Sequence, residues 1–322
     1  MNSPQHSMHP KSDEITLLSG GLGQEVLKRA SAEQAHPLWS VHSMMEEPEA
    51  VRDAHLAYIE AGSKVLTLNT YTATPTRLSR FPDMPSIERI HQRAGQLAHE
   101  AVAASGCNNI QIAGCLPPLV ASYVSEVAKP FDASKAEYLE LIQLQADYCD
   151  LFLIETISNT TEARAALAAA AETGIDVCMG FTIRDNLASQ LRSNEPLGQA
   201  LAVLAEQDLL GVVLNCSSPE AITNSLPLLR QTGFTFGAYA NGFETTDPLA
   251  PGTTVDSLST RLDITPESYA ETVMGWVELG ARIVGGCCEI GPAHICLLNQ
   301  RLIEQGYRVC GFPHTGQYAF GA

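Results

Sequence analysis

Hydrophobic and polar residues divide the chain into two kinds of segment that alternate along its length. Short runs rich in Val, Ile and Leu, typical of buried parallel strands, are separated by longer segments whose apolar residues recur at helical spacing. The short runs predict eight strands, at residues 15–18, 65–68, 110–113, 151–154, 177–181, 212–214, 235–239 and 282–284. The longer segments predict helices at residues 48–61, 86–104, 134–148, 161–172, 197–207, 219–231, 266–279 and 292–304.

Eight strands that are each followed by a helix indicate one closed barrel of parallel strands. The chain has 322 residues, and about 250 residues are typical of such a barrel. We therefore predict an α/β fold consisting of a single (β/α)8 TIM barrel over residues 14–310. Residues 1–13 are polar with two prolines and are expected to form a frayed or disordered tail. Residues 311–322 are expected to form a C-terminal tail.

The composition narrows the classes of function. The net charge is −17 and the pI is near 4.8, which argues against binding to nucleic acid or to anionic membrane surfaces. No apolar run approaches the length of a membrane span, and the polar start lacks the core of a signal peptide. Nine cysteines in a long chain do not match a secreted disulfide scaffold. We expect a cytoplasmic protein with reduced thiols, and an oligomer is possible.

The carboxyl ends of the strands in such a barrel meet at one face, where the active sites of these folds lie. The sequence places its distinctive residues there: a glycine-rich turn at 19–23, Asn69-Thr70-Tyr71, Glu155, Asn215-Cys216, residues 239–244 and Cys287-Cys288. The glycine-rich turn lacks the third glycine of the dinucleotide-binding fingerprint. It is either a site for an anion on backbone amides or an ordinary turn from strand to helix.

Cys287 and Cys288 follow the last strand directly after Gly285-Gly286. Adjacent side chains of an extended strand point to opposite faces, so the backbone must bend for both thiols to converge, and we expect the glycines to allow that bend. Cys216 ends the sixth strand at the same face and can supply a third thiolate. Three thiolates leave a tetrahedral Zn2+ with one open position, which is typical of a catalytic site. A vicinal disulfide or a pair without function is the alternative.

The other cysteines have a simpler interpretation as small buried apolar side chains. That interpretation applies to Cys107, Cys149, Cys178, Cys296 and, with less weight, Cys115.

Further candidates surround the proposed metal site. Glu155 at a buried strand end would receive a cation such as a substrate ammonium, or else form an internal ion pair. Trp39, Tyr71 and Tyr239 are candidates to line a pocket for an onium methyl donor, with ordinary packing as the alternative. His294 either contacts a metal ligand or caps the last helix. Such a thiolate-rich site suits the deprotonation of a substrate thiol better than the generation of hydroxide.

These residues resemble a known family, the zinc-dependent homocysteine S-methyltransferases. The matching segments are LLSGGLGQEV (17–26), PEAVRDAHLAYIEAGSKVLTLNTYTAT (48–74), LFLIETISNTTEA (151–163), VVLNCSSPE (212–220) and GGCCEIGPAHI (285–295). The resemblance implies a (β/α)8 barrel with Zn2+ on Cys216, Cys287 and Cys288, and with the homocysteine sulfur at the fourth position. It also implies roles in homocysteine binding for Glu155 at the ammonium, for backbone amides near Gly20-Gly21 at the carboxylate, and for Asn215 beside Cys216.

The chain departs from this family at three places. Ser19 stands where the family usually has Asp, Glu289-Ile290-Gly291 follows the cysteine pair, and the loop 240–260 is unusual. The resemblance implies methyl transfer from a sulfonium or quaternary ammonium donor to homocysteine, giving methionine. Two alternatives stay open: methyl transfer to another small thiol or selenol, and a non-catalytic zinc-binding barrel. The sequence does not name the methyl donor.

Overall fold

A computed structural model describes residues 13–31, 36–246, 249 and 258–313. The expected tails at 1–13 and 311–322 fall outside these ranges except for residue 13 and residues 311–313. The strands are Glu14–Leu17 (β1), Val65–Thr67 (β2), Gln111–Leu116 (β3), Leu151–Ile157 (β4), Val177–Phe181 (β5), Gly211–Asn215 (β6), Phe236–Tyr239 (β7), Ile283–Val284 (β8) and Arg308–Cys310 (β9).

Helices follow the strands in alternation. They are Leu22–Arg29 (α1), Ser40–Glu46 (α2), Pro48–Glu60 (α3), Pro75–Leu78 (α4), Ile87–Ser105 (α5), Phe131–Gln145 (α6), Thr160–Thr173 (α7), Leu197–Ala202 (α8), Pro219–Arg230 (α9), Pro266–Glu278 (α10) and Pro292–Glu304 (α11). Side-chain oxygens of Ser86, Asn159, Ser218 and Thr265 accept backbone amides at the starts of α5, α7, α9 and α10, which satisfies donors that a helix leaves free. No described helix has the length and apolarity needed to cross a membrane.

All nine described strands belong to one parallel sheet in the order β2-β3-β4-β5-β6-β7-β8-β1-β9. The sheet closes where Leu18 forms a parallel bridge with Val65 and the Ser19 amide donates to the Val65 carbonyl at 3.0 Å. This closure confirms the predicted (β/α)8 barrel. The buried side chains inside the barrel form one cluster that includes Leu18, Val65, Leu153, Cys178, Val213, Tyr239 and Ile283.

The sequence-based prediction missed β9. This strand pairs with the start of β1, from Glu14 opposite Arg308 to Thr16 opposite Cys310. Two residues after its end, Phe312 is buried in the barrel interior. Its amide and carbonyl are both bonded to the Gln111 side chain, at 2.6 and 3.1 Å. The segment after the last helix therefore covers the end of the barrel opposite the strand ends that carry the site.

Candidate metal and substrate site

A cavity opens at the carboxyl ends of the strands. It is lined by all three cysteines of the predicted metal site, by the glycine-rich turn, and by Trp39, Tyr71, Glu155 and Tyr239. The topology of the barrel brings these residues together from distant parts of the chain, as the sequence predicted.

Three thiols meet on one side of this cavity. The sulfur atoms of Cys216, Cys287 and Cys288 lie within 4.8 Å of one another, and 3.7 Å separates Cys216 Sγ from Cys288 Sγ. Two sulfurs on one tetrahedral zinc, each with a bond of about 2.3 Å, would be about 3.8 Å apart. The three side chains therefore fit a tetrahedral metal ion with one position left open. We call these three residues the metal wall.

Backbone hydrogen bonds hold the metal wall in place. The Cys216 amide donates to the Tyr239 carbonyl at 3.0 Å, and the Cys287 amide donates to the Ala240 carbonyl at 2.9 Å. Cys216 itself has a φ of 49°, a left-handed conformation that is uncommon for a residue with a Cβ and is found at functional sites. The backbone thus turns the end of β6 towards the turn after β8.

The turn after β8 bends differently from the sequence-based expectation. Gly285 and Gly286 do not have positive φ, whereas Glu289 does, at 67°. The glycines serve close packing instead. A Cβ on Gly286 would lie 2.3 Å from Ile290 Cγ2, and one on Gly285 would lie 2.7 Å from Leu18 Cβ. The prediction that these glycines supply the bend was wrong, because the chain reverses in a turn from Cys287 to Ile290, which the Ile290 amide closes on the Cys287 carbonyl at 3.1 Å.

The thiols of the metal wall differ in how easily they lose a proton. Although burial opposes the charged form, hydrogen bonds from the two neighbouring thiols and from the Tyr123 hydroxyl lower the pKa of Cys216. The pKa of Cys287 is raised chiefly by burial, and that of Cys288 chiefly by its hydrogen bond to Cys216. The pKa shifts favour the charged form at Cys216, and a divalent metal bound here would favour it at all three cysteines, because metal ligands must be deprotonated.

Tyr123 is a site residue that the sequence-based prediction missed. Its hydroxyl lies 2.9 Å from Cys216 Sγ, and its backbone has a φ of 65°. The guanidinium of Arg192 lies over its ring, 5.4 Å from the centroid. The residue comes from the long connection after β3, where no periodic pattern indicates its position. A tyrosine in a loop that follows a barrel strand was the only available signal.

Glu155 lies inside β4, not beyond its end as the sequence predicted. A bulge between Ile154 and Ile157 shifts the register there, and Thr156 has a φ of 60°. The carboxylate accepts the Tyr239 hydroxyl at 2.8 Å and the Cys115 thiol at 3.3 Å. Burial raises the pKa of Glu155 to about 7. Both bonded donors are neutral, so a cationic group is the partner that this carboxylate lacks.

Asn215 fixes the bulge that presents Glu155. Its side-chain oxygen accepts the Thr156 amide at 2.9 Å, and its Nδ2 donates to Thr156 Oγ1 at 2.9 Å. Asn215 is fully buried. These bonds indicate that Asn215 acts on the site by fixing the backbone next to Glu155.

The glycine-rich turn packs directly against the cysteine turn. The Gly21 amide donates to the Ile290 carbonyl at 2.9 Å, so it is not free for a ligand. A Cβ on Gly20 would lie 2.1 Å from the same carbonyl oxygen, and one on Gly21 would lie 2.6 Å from the Cys287 carbonyl oxygen. Helix α1 begins at Leu22, and the amides of a first helical turn have no partner within the helix. Ser19 also lines the cavity and is almost fully buried.

Aromatic residues line another part of the cavity. Trp39 packs on Gly23, where a Cβ would lie 2.3 Å from the indole ring, and its buried Nε1 has no hydrogen-bond partner among the described residues. The Tyr71 hydroxyl is 2.9 Å from Ser122 Oγ. We call Trp39, Tyr71 and Tyr123 the aromatic wall. Tyr239 was also predicted as a candidate for the donor pocket, but its hydroxyl donates to the Glu155 carboxylate.

His294 is placed by the start of α11. Its Nδ1 accepts the Gly291 amide at 3.3 Å, and its Nε2 lies 3.1 Å from the Ile264 carbonyl oxygen. Both ring nitrogens thus have backbone partners. Of the two interpretations, the structure supports the one in which His294 caps the helix.

Comparison with known proteins identifies the family. The family model described as homocysteine S-methyltransferase matches residues 16–302. A selenocysteine methyltransferase from Astragalus bisulcatus is 28% identical, with 88% of this chain and 90% of that protein covered. The homocysteine S-methyltransferase of Escherichia coli is also 28% identical, with 93% and 99% covered.

Solved structures agree with this result. The crystal structure of the Escherichia coli homocysteine methyltransferase in its oxidized form matches with a TM-score of 0.75 and 25% identity, over 93% of this chain and 100% of that one. The metallated form of that enzyme also has a TM-score of 0.75, at 24% identity, and covers 89% and 96% of the two chains. This chain belongs to the homocysteine S-methyltransferase family.

Proposed function

We propose that this protein transfers a methyl group from a sulfonium or quaternary ammonium donor to the thiol of homocysteine, giving methionine. The observation that carries the proposal is the pairing of two features in one cavity. Three convergent thiols are the metal-binding group found among the described residues, and they would leave one position open on a tetrahedral ion. Nearby lies a carboxylate whose hydrogen-bond donors in the described part of the chain are neutral. Membership of the homocysteine S-methyltransferase family supports the same reaction.

Cys216, Cys287 and Cys288 would hold the metal, which we propose to be Zn2+. When bound, this ion supplies a fourth position at which a substrate thiol loses its proton at neutral pH. Thiolate ligands suit zinc, and the sulfur spacing of the metal wall matches its tetrahedral radius. We also propose a cytoplasmic location, since all nine cysteines are free and the cytoplasm keeps thiols reduced.

The amino-acid part of homocysteine would bind between Glu155 and the glycine-rich turn. The carboxylate of Glu155 would accept the substrate ammonium. Tyr239 and the bulge that Asn215 fixes hold this carboxylate in position. The substrate carboxylate would lie beside Gly20-Gly21, at the amides that open α1. With both charged groups bound, the thiol side chain points towards the metal wall.

The aromatic wall would receive the onium donor. The faces of Trp39 and Tyr71 attract a cationic methyl group by cation–π interaction. The homocysteine sulfur forms a bond to the methyl carbon as the bond from that carbon to the onium atom breaks, and the electron pair goes to the leaving group. That atom departs neutral, so no general acid is required there. Alignment of the two substrates supplies the rate enhancement.

Two observations keep a selenol or another small thiol as a second candidate acceptor. Ser19 takes the place of the family's usual Asp in the amino-acid site, and one of the similar proteins is a selenocysteine methyltransferase. We propose homocysteine as the preferred acceptor, because the metal wall for its thiol and Glu155 for its ammonium both line the cavity.

The test is to measure bound metal on reduced protein and then methylated product. Homocysteine, cysteine and selenocysteine would be offered as acceptors with S-methylmethionine, S-adenosylmethionine, glycine betaine and dimethylsulfoniopropionate as donors. We expect one zinc per chain, and methionine from homocysteine with at least one donor. Product only from selenocysteine or cysteine would move the assignment to that acceptor. Zinc without any product, together with a fourth protein ligand, would support a non-catalytic zinc-binding barrel.

A further inference from the structure

Arg77 is the one cationic side chain among the described residues that line the cavity. It comes from the short helix α4, where its amide donates to the Thr74 side chain at 3.1 Å. Its guanidinium lies over the ring of Tyr71, 5.5 Å from the centroid. One nitrogen, Nη2, donates to the Pro118 carbonyl at 2.7 Å. The sequence analysis did not single out this residue.

The guanidinium is short of partners. A guanidinium has five N–H donors, yet the buried Nε of Arg77 has no hydrogen-bond partner among the described residues, and burial lowers the pKa of the group. The carboxylate of Glu162 acts on Arg77 electrostatically, but it accepts the Leu119 amide at 2.9 Å. Arg77 is half-buried as a whole. Among the described residues its terminal nitrogens make one hydrogen bond, from Nη2, so the donors of Nη1 can meet a ligand. The planar fork of the guanidinium matches a carboxylate that arrives with a ligand.

The position of Arg77 points to the methyl donor and not to the acceptor. Arg77 stacks on Tyr71, which belongs to the aromatic wall. The acceptor has its own partners near the metal wall, namely Glu155 for the ammonium and the start of α1 for the carboxylate. We propose that Arg77 binds the carboxylate of the methyl donor and so helps to select and orient that donor. This inference rests on the proposed function.

Binding at Arg77 also orients the donor. A carboxylate on the guanidinium and an onium centre against Tyr71 fix two points of the same molecule. The bound donor can then only rotate about the line that joins these two points. This restriction limits the directions from which the methyl group can approach the sulfur. An onium compound without a carboxylate keeps only the aromatic contact. The protein should therefore discriminate between donors that differ in this group alone.

The experiment compares each donor with its own carboxamide in wild-type protein and in Arg77→Gln. The probes are dimethylsulfoniopropionate, glycine betaine and S-methylmethionine, each beside the matching amide. Initial rates with homocysteine give kcat/KM for the donor, and calorimetric titration gives donor binding without turnover. Arg77→Lys keeps the charge but not the planar fork. Arg80→Gln is the matched control, since Arg80 is exposed and lies outside the lining of the cavity.

We expect wild-type protein to prefer the carboxylate donor over its amide by about 10- to 100-fold, the range for a hydrogen bond to a charged group. Arg77→Gln should remove most of that preference, Arg77→Lys should keep part of it, and Arg80→Gln should keep it all. The homocysteine KM should move by less than about twofold in Arg77→Gln, since the acceptor has other partners.

Three results would overturn the inference. One is an equal kcat/KM for the carboxylate donor and its amide in wild-type protein. This result does not depend on whether Arg77→Gln folds. Another is a homocysteine KM that rises in Arg77→Gln while the donor preference is kept, because Arg77 would then bind the acceptor. The third is a preference that survives in Arg77→Gln. Donor binding with the expected preference but no turnover would contradict the proposed function and support the role of Arg77.

Discussion

The two walls of the cavity are built in different ways. Main-chain hydrogen bonds position the metal wall, from the Cys216 amide to the Tyr239 carbonyl and from the Cys287 amide to the Ala240 carbonyl. Side chains hold the aromatic wall, through the Tyr71–Ser122 contact and the packing of Trp39 on Gly23. Both walls consist of residues beyond the strand ends, but main-chain bonds tie the first to the barrel, whereas side-chain contacts hold the second.

Under the proposed function, this difference separates the residues that would bind the metal and the acceptor thiol from those that would select the methyl donor. Metal ligands must hold a fixed spacing, which a rigid backbone supplies. A cation–π contact tolerates a range of positions over an aromatic face. The aromatic wall can therefore be changed to accept another onium compound while the metal wall keeps its geometry. Predictions that act on one wall at a time test this separation, and the largest effects are expected at the metal wall.

Cys216→Ser should have the largest effect, because it removes one of the three proposed metal ligands. Serine is a poor zinc ligand, so the zinc content of purified reduced protein should fall well below one per chain. Methyl transfer should fall by more than about 100-fold, beyond what the loss of a ligand's outer partner costs. Metal analysis and initial rates on the same preparation check both effects.

Cys296→Ser is the matched control for this change. Cys296 lies on α11, close in sequence to the cysteine pair, but outside the lining of the cavity. Zinc content and activity should stay near those of the wild type. If Cys216→Ser kept full zinc content and activity, Cys216 would not be a metal ligand, and the proposed mechanism would be contradicted.

Glu155→Gln should act on the acceptor and spare the donor. Glutamine keeps the size of the side chain and an oxygen for the Tyr239 hydroxyl, but it loses the charge that would pair with the substrate ammonium. The homocysteine KM should rise by about 10- to 100-fold, the range for a hydrogen bond to a charged group. Steady-state kinetics with either substrate varied will show the effect. A donor KM that rises instead would place Glu155 on the donor side of the cavity.

The pH dependence of acceptor binding follows from the pKa of Glu155, which burial raises to about 7. The carboxylate is charged above that pH and neutral below it, so binding of an ammonium should weaken as the pH falls through 7. Norleucine carries the amino-acid group without a thiol and isolates this effect. Its dissociation constant should rise by about tenfold from pH 8 to pH 6. A flat profile in wild-type protein would contradict the assignment, and Glu155→Gln should give one.

The barrel and the metal wall could be predicted from the sequence because both depend on local pattern. Alternating apolar runs and helical segments determine the order of elements, and the barrel topology then brings the ends of β6 and β8 to one face. Cys216 and the adjacent pair stand directly at those ends. The short strand β9 was missed because the three residues Arg-Val-Cys are too few to show a strand pattern. Its pairing with β1 is a long-range contact that no local pattern encodes.

The aromatic wall could be predicted only in part. Trp39 and Tyr71 were candidates by residue type, whereas Tyr123 and Arg77 depend on how two connections fold against each other. Arg77 reaches the cavity because α4 is held at its start by Thr74. The same limit applies to the bulge in β4, where Asn215 on a different strand selects the conformation of Thr156.

Tyr123→Phe tests the one hydroxyl by which the aromatic wall touches the metal wall, 2.9 Å from Cys216 Sγ. Its loss removes a single hydrogen bond to a thiolate, so zinc affinity should fall by between about twofold and tenfold. Competition with a chromophoric chelator measures this change. Tyr71→Phe is the matched control, because the Tyr71 hydroxyl bonds Ser122 instead of a thiol. Equal losses of zinc affinity in both variants would mean that the walls are coupled through packing, and the separation of reaction from donor choice would fail.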